Sequence, residues 1–446
     1  MFIGITKSEL RLSLLAALVF TLGSTAFATT EPAKPPPHVI YVGSCQAGSS
    51  ATIQAAVNGV AINGIVNVCP GTYPEQVTIS RGPLTLQGAP SGTGDAAVVV
   101  PPAGGMVQSG TDIFGNPVQA QITVTGVTGV TIKNLTVDGT GNNVAGCGAP
   151  TFEGIYFQNS SGTIEFDVVR NQYQTDYADY GGCQNGLAIN VESLTTGPAV
   201  TISNNSVSAY QKNGITATGA ATGPGAQGPA VTISNNHIVG LAATGMNWPT
   251  SGAAENGVQV GFGATGSLTL NTVDNNIWGQ DAFGDTGDAA SGILIYASEN
   301  ITVTDNSVNS AQFPIVTVTD PNYGPADNTT VSSNIITGTQ LYDAIDLCSS
   351  NNTAKSNKIF GSAESGIHLD DTCGSGNGNT ATGNQINEAC AGVLFGTGTG
   401  NTYSPNTYYN VVSTTMSGDT CTSPTYGPAK KASRARPSAY IPHRKQ

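Results

Sequence analysis

Charge is scarce in this sequence, and basic charge is scarcest. Its 446 residues carry 15 Lys and Arg against 28 Asp and Glu. Most of the basic residues lie at the two ends, so residues 30–427 hold 27 acids against 7 bases, a net charge near −20. So acidic a body excludes nucleic acid as a partner and does not suit unaided binding of polyanions such as pectate or alginate. Long apolar runs are missing after residue 28, so no membrane span is expected once the leader is removed. No two Cys have Cys-x-x-Cys spacing, which speaks against metal or redox work by thiols. Helical periodicity is missing except over one short stretch.

A repeat is present instead. Val200–Val207 reads Val-Thr-Ile-Ser-Asn-Asn-Ser-Val, and close copies recur at Val231–Ile238 and Ile301–Val308. Looser copies place Asn275, Asn334, Asn357 and Asn384 where Asn205 stands, and earlier ones place Leu135 and Asp167 there. Two residues on, every copy has Val or Ile: Val137, Val169, Val207, Ile238, Ile277, Val308, Ile336, Ile359 and Ile386. The unit length fits one coil of a solenoid with loops of variable length. A second marker falls between copies: Gly154-Ile155, Gly186-Leu187, Gly214-Ile215, Gly257-Val258, Gly292-Ile293, Gly366-Ile367 and Gly392-Val393. Pro314-Ile315 and Ala344-Ile345 fill the remaining coils. Each coil thus holds at least two short strands around an Asn turn, alternating in and out. Asn tolerates a left-handed backbone, and stacked amides can hydrogen-bond along the pile.

These repeats resemble the right-handed parallel β-helix of the pectin-lyase-like superfamily over about residues 39 to 400. The resemblance implies an all-β solenoid with a short N-terminal capping helix, placed at Thr52–Val60, where Ile53, Val57 and Val60 share a face. Pro70–Val77 is similar to a Gly-x-Tyr-x-Glu segment of pectinesterases, but the other motifs of that family are missing, so Tyr73 and Glu75 read as structural.

Residues 1–28 read as a secretory signal, with Lys7 and Arg11, an apolar core and an Ala26-Phe27-Ala28 cleavage site. A Pro-rich leader covers 29–38, the β-helix with its caps 39–427, and a basic disordered tail 428–446. The expected location is secreted, periplasmic or cell-surface, and the expected state is a monomer. Eight Cys behind a signal argue for disulfides. Residues one coil apart lie close, so the expected bridges join sequence neighbours: Cys45–Cys69, Cys147–Cys183, Cys348–Cys373 and Cys390–Cys421.

The densest titratable cluster spans two neighbouring coils, Tyr342–Leu347 and Glu364–Asp371. If Ile345, Leu347, Ile367 and Leu369 point inward, Asp346 and His368 point outward, one above the other at about 4.8 Å. Asp343 and Glu364 are expected to stack in the preceding turn, exposed, with Asp370 just beyond. Paired carboxylates are what glycoside hydrolysis needs, so Asp343, Asp346, Glu364, His368 and Asp370 are the candidate catalytic residues. The cluster is similar in part to polygalacturonases, with Asp343 and Glu364 at two of the family's carboxylate positions. Ala391 stands where that family has its His, and the substrate-gripping Arg-Ile-Lys has no counterpart. Asp281, Asp285 and Asp288 share one loop as a candidate calcium site. Tyr156, Trp248, Trp278 and Tyr296 are candidates for stacking on sugar rings. The expected function is a carbohydrate-binding or surface and matrix protein without conventional catalytic motifs. The alternative is a polysaccharide hydrolase or lyase acting on an extracellular or cell-surface glycan.

Overall fold

The computed structural model describes residues 35–89, 96–145, 150–175, 185–220, 227–241, 255–277, 288–339, 342–421 and 436–437. Residues 36–446 form one compact unit, and the following concerns that unit. It is a right-handed parallel β-helix. One column is a 12-stranded parallel sheet from Val39–Val42 to Thr380–Thr382. A second column runs through the strands that follow the Asn turns, such as Ser206–Tyr210 and Ser307–Asn309. A third runs through the Gly-Ile strands, such as Thr151–Gln158, Asn256–Gly261 and Ser365–Leu369. The last two columns merge in Gln385–Phe395, which pairs with both Lys358–Phe360 and Ser365–Leu369. Among the described strands only Gly110–Thr111 pairs antiparallel, against Pro117–Thr125.

Alternation explains the core. Ile155, Ile189, Ile215, Val258, Ile293, Ile315, Ile345, Ile367 and Val393 stack in register and are fully buried. The second coil's inward residue is therefore Ile189, not Leu187, which pairs with the outward Glu153. The Gly before the inward residue is steric. A Cβ at Gly257 would lie 2.4 Å from Val273 and 2.7 Å from the Gly292 carbonyl.

The Asn residues form the expected ladder. Asn205 donates its backbone N–H and Nδ2 to Asn236 Oδ1 at 3.0 and 2.9 Å. The same step continues through Asn271, Asn306, Asn334, Asn357, Asn384 and Asn406. The rung in the middle is Asn271 with Val273, not Asn275 with Ile277. The left-handed residue is the one before each rung: Asn204, Asn235, Leu270, Asp305, Ser333 and Ser356. Asn275, at φ 58°, instead makes the next turn of its coil, which Ala209 and Ser310 make elsewhere. A second ladder, Asn352–Asn379–Asn401, lines another corner.

Leu270 takes φ 57° while 57% exposed, a backbone that costs an L residue about 1 kcal/mol or more. Leu270→Asn is expected to raise stability by about 0.5–1 kcal/mol, read as the urea midpoint. An unchanged or lower midpoint would mean that Leu270 is not strained.

The helix is Ile53–Gly59, capped by Thr52 through the Ala55 N–H. Glu75 also receives the N–H groups of Ile53 and Gln54, at 2.9 and 3.2 Å, and Tyr73 donates to the Cys69 carbonyl. Both residues thus help hold the N-terminal cap together. Cys45–Cys69 and Cys348–Cys373 are disulfides, with Cα atoms 5.5 and 5.4 Å apart. Cys390 and Cys421 do not form the expected bridge: they lie side by side in one buried cluster as thiols. Cys147 and Cys183 lie outside the described residues. Within the tail, Arg436–Pro437 pairs with Asp288–Ala289.

Candidate functional site

Register places Asp346 directly beside His368 on the outer side of the third column. Asp343 joins them from the turn: its Oδ2 lies 3.2 Å from His368 Nδ1. Its Oδ1 accepts from the Ser365 N–H at 3.0 Å and the Ser365 hydroxyl at 2.5 Å. The stacking in this turn differs by one residue from expectation. Asp343 meets Ser365, while the Glu364 N–H reaches the Tyr342 carbonyl at 3.2 Å. Asp370 closes its own turn, accepting from the Thr372 N–H at 2.8 Å and hydroxyl at 3.0 Å, beside the Cys348–Cys373 disulfide.

Exposure is the larger correction. Asp343, Asp346, Glu364, His368 and Asp370 are all at most 2% exposed, not in open turns. Aromatic packing walls one side: Phe313 stacks on Tyr342 with centroids 4.5 Å apart, in a cluster with Leu294, Val316 and Tyr296. Cys390 and Cys421 bound the other side. Burial, then Cys390, then the negative charge of Asp343 and Glu364 hold the Cys421 thiol well above its ordinary range.

A second cluster escaped the sequence reading. Glu153 and Glu192 lie on neighbouring strands, fully buried. Asn190 Nδ2 donates to both, at 3.1 Å to Glu153 and 3.0 Å to Glu192. Glu192 also accepts from the Tyr156 hydroxyl at 2.9 Å and the Ile113 N–H at 3.2 Å, which ties the 110–116 segment to the outer face. Burial raises both carboxyls, Glu192 to about 7, and each repels the charge around it. Among the described residues, Glu153 Oε2 and Asn190 Oδ1 find no hydrogen-bond partner. A neutral Glu153 with its proton on Oε2 can pair with the amide oxygen as acids pair with amides. A signal was present: Glu153 directly precedes Gly154-Ile155, as Asp343 directly precedes Ala344-Ile345.

Of the remaining candidates, Asp281, Asp285, Trp248 and Trp278 lie outside the described residues, as does the side chain of Asp288. Tyr156 and Tyr296 are buried.

The fold and the two disulfides define the class: a right-handed parallel β-helix repeat protein that works outside the cytosol, secreted, periplasmic or at the cell surface. No described helix is long and apolar enough to cross a membrane. A family model described as periplasmic copper-binding protein (NosD) matches residues 234–428. No curated protein matches the chain. Among solved structures, a GH136 lacto-N-biosidase from Eubacterium ramulus is 12% identical with a TM-score of 0.51, over 83% of this chain and 68% of that one. The surface adhesin PfbA of Streptococcus pneumoniae is 14% identical, TM-score 0.48, over 81% and 85%. The mannuronan C-5 epimerase AlgE4 A-module of Azotobacter vinelandii is 14% identical, TM-score 0.40, over 82% and 92%.

Proposed function

We propose that this is an extracytoplasmic carbohydrate-binding protein that uses the outer face of its 12-stranded sheet, rather than a polysaccharide-degrading enzyme. One observation carries the reading. Thr131, Thr163, Thr201, Thr232, Ser267, Thr302, Thr330, Thr353 and Thr380 stand in register, one per coil, and all are partly or fully exposed. This is an uncharged row of hydroxyls at strand spacing, about 4.8 Å. It suits a neutral, extended glycan, whose hydroxyls repeat along a chain. The alternative of glycan cleavage at Asp343 and Glu364 is disfavoured because both are sealed from solvent.

Binding to insoluble neutral polysaccharides and to a glycan array, run beside a reducing-sugar release assay, tests the reading. Wild type is expected to bind and release nothing. Thr232→Glu with Thr302→Glu, both in exposed positions, is expected to weaken binding at least about tenfold while circular dichroism is unchanged. Sugar release, or full binding by the double variant, would overturn it.

A second reading is favoured by the family match: residues 234–428, matched by a family model described as periplasmic copper-binding protein, contain Asp343, Asp346 and His368. In this reading the chain holds a transition-metal ion.

A further inference from the structure

We propose that Asp343, Asp346 and His368 form a site for one divalent transition-metal ion. The proposal rests on the metal-binding reading and assigns it to three side chains. Asp346 and His368 are brought together by sheet register, and Asp343 reaches them from the adjoining turn. One donor atom from each lies within 4.8 Å of the other two. Donors that share an ion at about 2.1 Å stand no more than about 4.2 Å apart, so shifts of a few tenths of an ångström close the site.

The first ligand is already aimed. Ser365 holds Asp343 Oδ1 through its N–H and hydroxyl, which turns Oδ2 toward His368. Outer hydrogen bonds of this kind orient ligands in metal sites. Two carboxylates brought to one buried point repel each other, and a dication removes that repulsion.

The donor set selects the ion class. Calcium and magnesium take oxygen alone, and Cu⁺ takes soft thiolates. Two carboxylates with one imidazole suit a borderline divalent ion such as Cu²⁺ or Zn²⁺. Among the described residues one other group of three donors converges, Cys348, Asp370 and Cys373, but its sulfurs are joined to each other. The Cys390 and Cys421 sulfurs are the soft competitor nearby.

The test is calorimetric titration of chelator-stripped full-length protein with Cu²⁺ and with Zn²⁺, joined to electron paramagnetic resonance of the Cu²⁺ form. One equivalent is expected, with hyperfine coupling to imidazole nitrogen. His368→Gln is expected to lose that coupling. Ser365→Ala keeps all three ligands and is expected to weaken affinity on the order of 10–100-fold, which keeps the proposal open to refutation if His368→Gln does not fold. Cys390→Ser with Cys421→Ser is expected to bind as wild type does. If wild type binds neither ion, the metal-binding reading and the site fall together. If wild type binds one equivalent and Ser365→Ala and His368→Gln bind equally well, the site falls and the reading stands. If the double Cys variant alone loses binding, the thiols are the ligands and the assignment is wrong.

Discussion

Asn306→Leu is expected to cost about 3–6 kcal/mol, the largest single-residue effect in the ladder. Asn306 is 1% exposed at mid-stack. Its Oδ1 accepts from Asn271 twice, from N–H and Nδ2, at 3.0 and 2.9 Å. Its Nδ2 donates to the Leu268 carbonyl at 2.9 Å and to Asn334 Oδ1 at 3.0 Å. Leucine is close in volume but supplies none of these. The Asn271 N–H, the Asn271 amide and the Leu268 carbonyl are then left without their ladder partner inside the protein. Each buried group so orphaned costs about 1–3 kcal/mol. Total stability for a domain is only about 5–15 kcal/mol, so the variant should sit near its unfolding threshold at 37 °C. Urea midpoint and slope read this directly. A cost under about 1 kcal/mol would mean that water or backbone shifts satisfy the freed groups. Asn306→Asp is the informative partner: at low pH it keeps the acceptor and one O–H donor in place of two N–H donors, and on ionising it loses that donor too, so its cost should fall between wild type and leucine at low pH and grow as pH rises.

Glu153→Gln is expected to make the protein more stable above neutral pH and to flatten its pH profile. Both members of the Glu153–Glu192 pair have carboxyls raised above their ordinary value of 4.5, first by burial. A carboxyl raised on folding contributes its full share of stability below the unfolded value. That share is lost as pH rises through the folded value. With Glu192 at about 7, the loss runs from about pH 4.5 to about pH 7 and beyond. Gln has the shape of the neutral acid and keeps an N–H donor for Asn190, while its charge cannot appear. Burial and the Asp112 charge still hold Glu192 up in the variant, so the difference between the two proteins reports Glu153. The variant's advantage over wild type is expected to be small at pH 4.5 and on the order of 2–4 kcal/mol at pH 8. Melting temperatures of both proteins between those limits measure the difference. If wild type gains stability over variant as pH rises, the pair is not protonated in the way its burial implies.

The solenoid was legible because its signal is redundant: each coil repeats the alternation, and each Asn rung repeats the turn. Disulfides Cys45–Cys69 and Cys348–Cys373 were legible for the same reason, since one coil's separation means spatial contact. Ambiguity entered where one coil offers two similar turns. Asn275 and Asn271 both bracket a turn near an apolar residue, and only hydrogen bonding to Asn236 and Asn306 distinguishes them. Gly186-Leu187 misled similarly, because the steric demand for Gly is relaxed to Ala188 in that coil. Outward direction at Asp346 and His368 followed from alternation, but their burial did not. Alternation says which side of a strand a residue takes, not whether aromatic side chains such as Phe313 and Tyr342 wall that side off. Glu153 and Glu192 needed a third participant, the 110–116 segment, which no periodicity connects to them.

The ladder has a direction. In every step the amide oxygen of one rung faces back toward the preceding coil, and the nitrogen faces forward. Successive rungs are 22 to 35 residues apart in sequence, yet each joint is the same donor meeting the same acceptor. The joints are thus standard couplings between interchangeable cars. A coil removed whole, or a loop lengthened between rungs, leaves donor facing acceptor. A rung turned around would set oxygen against oxygen on one side and N–H against N–H on the other. Asp167, fully buried with its carboxyl held well above the ordinary range by that burial, takes the leading position. It accepts the Leu135 N–H through Oδ1 and terminates the train at the end where only oxygens point outward.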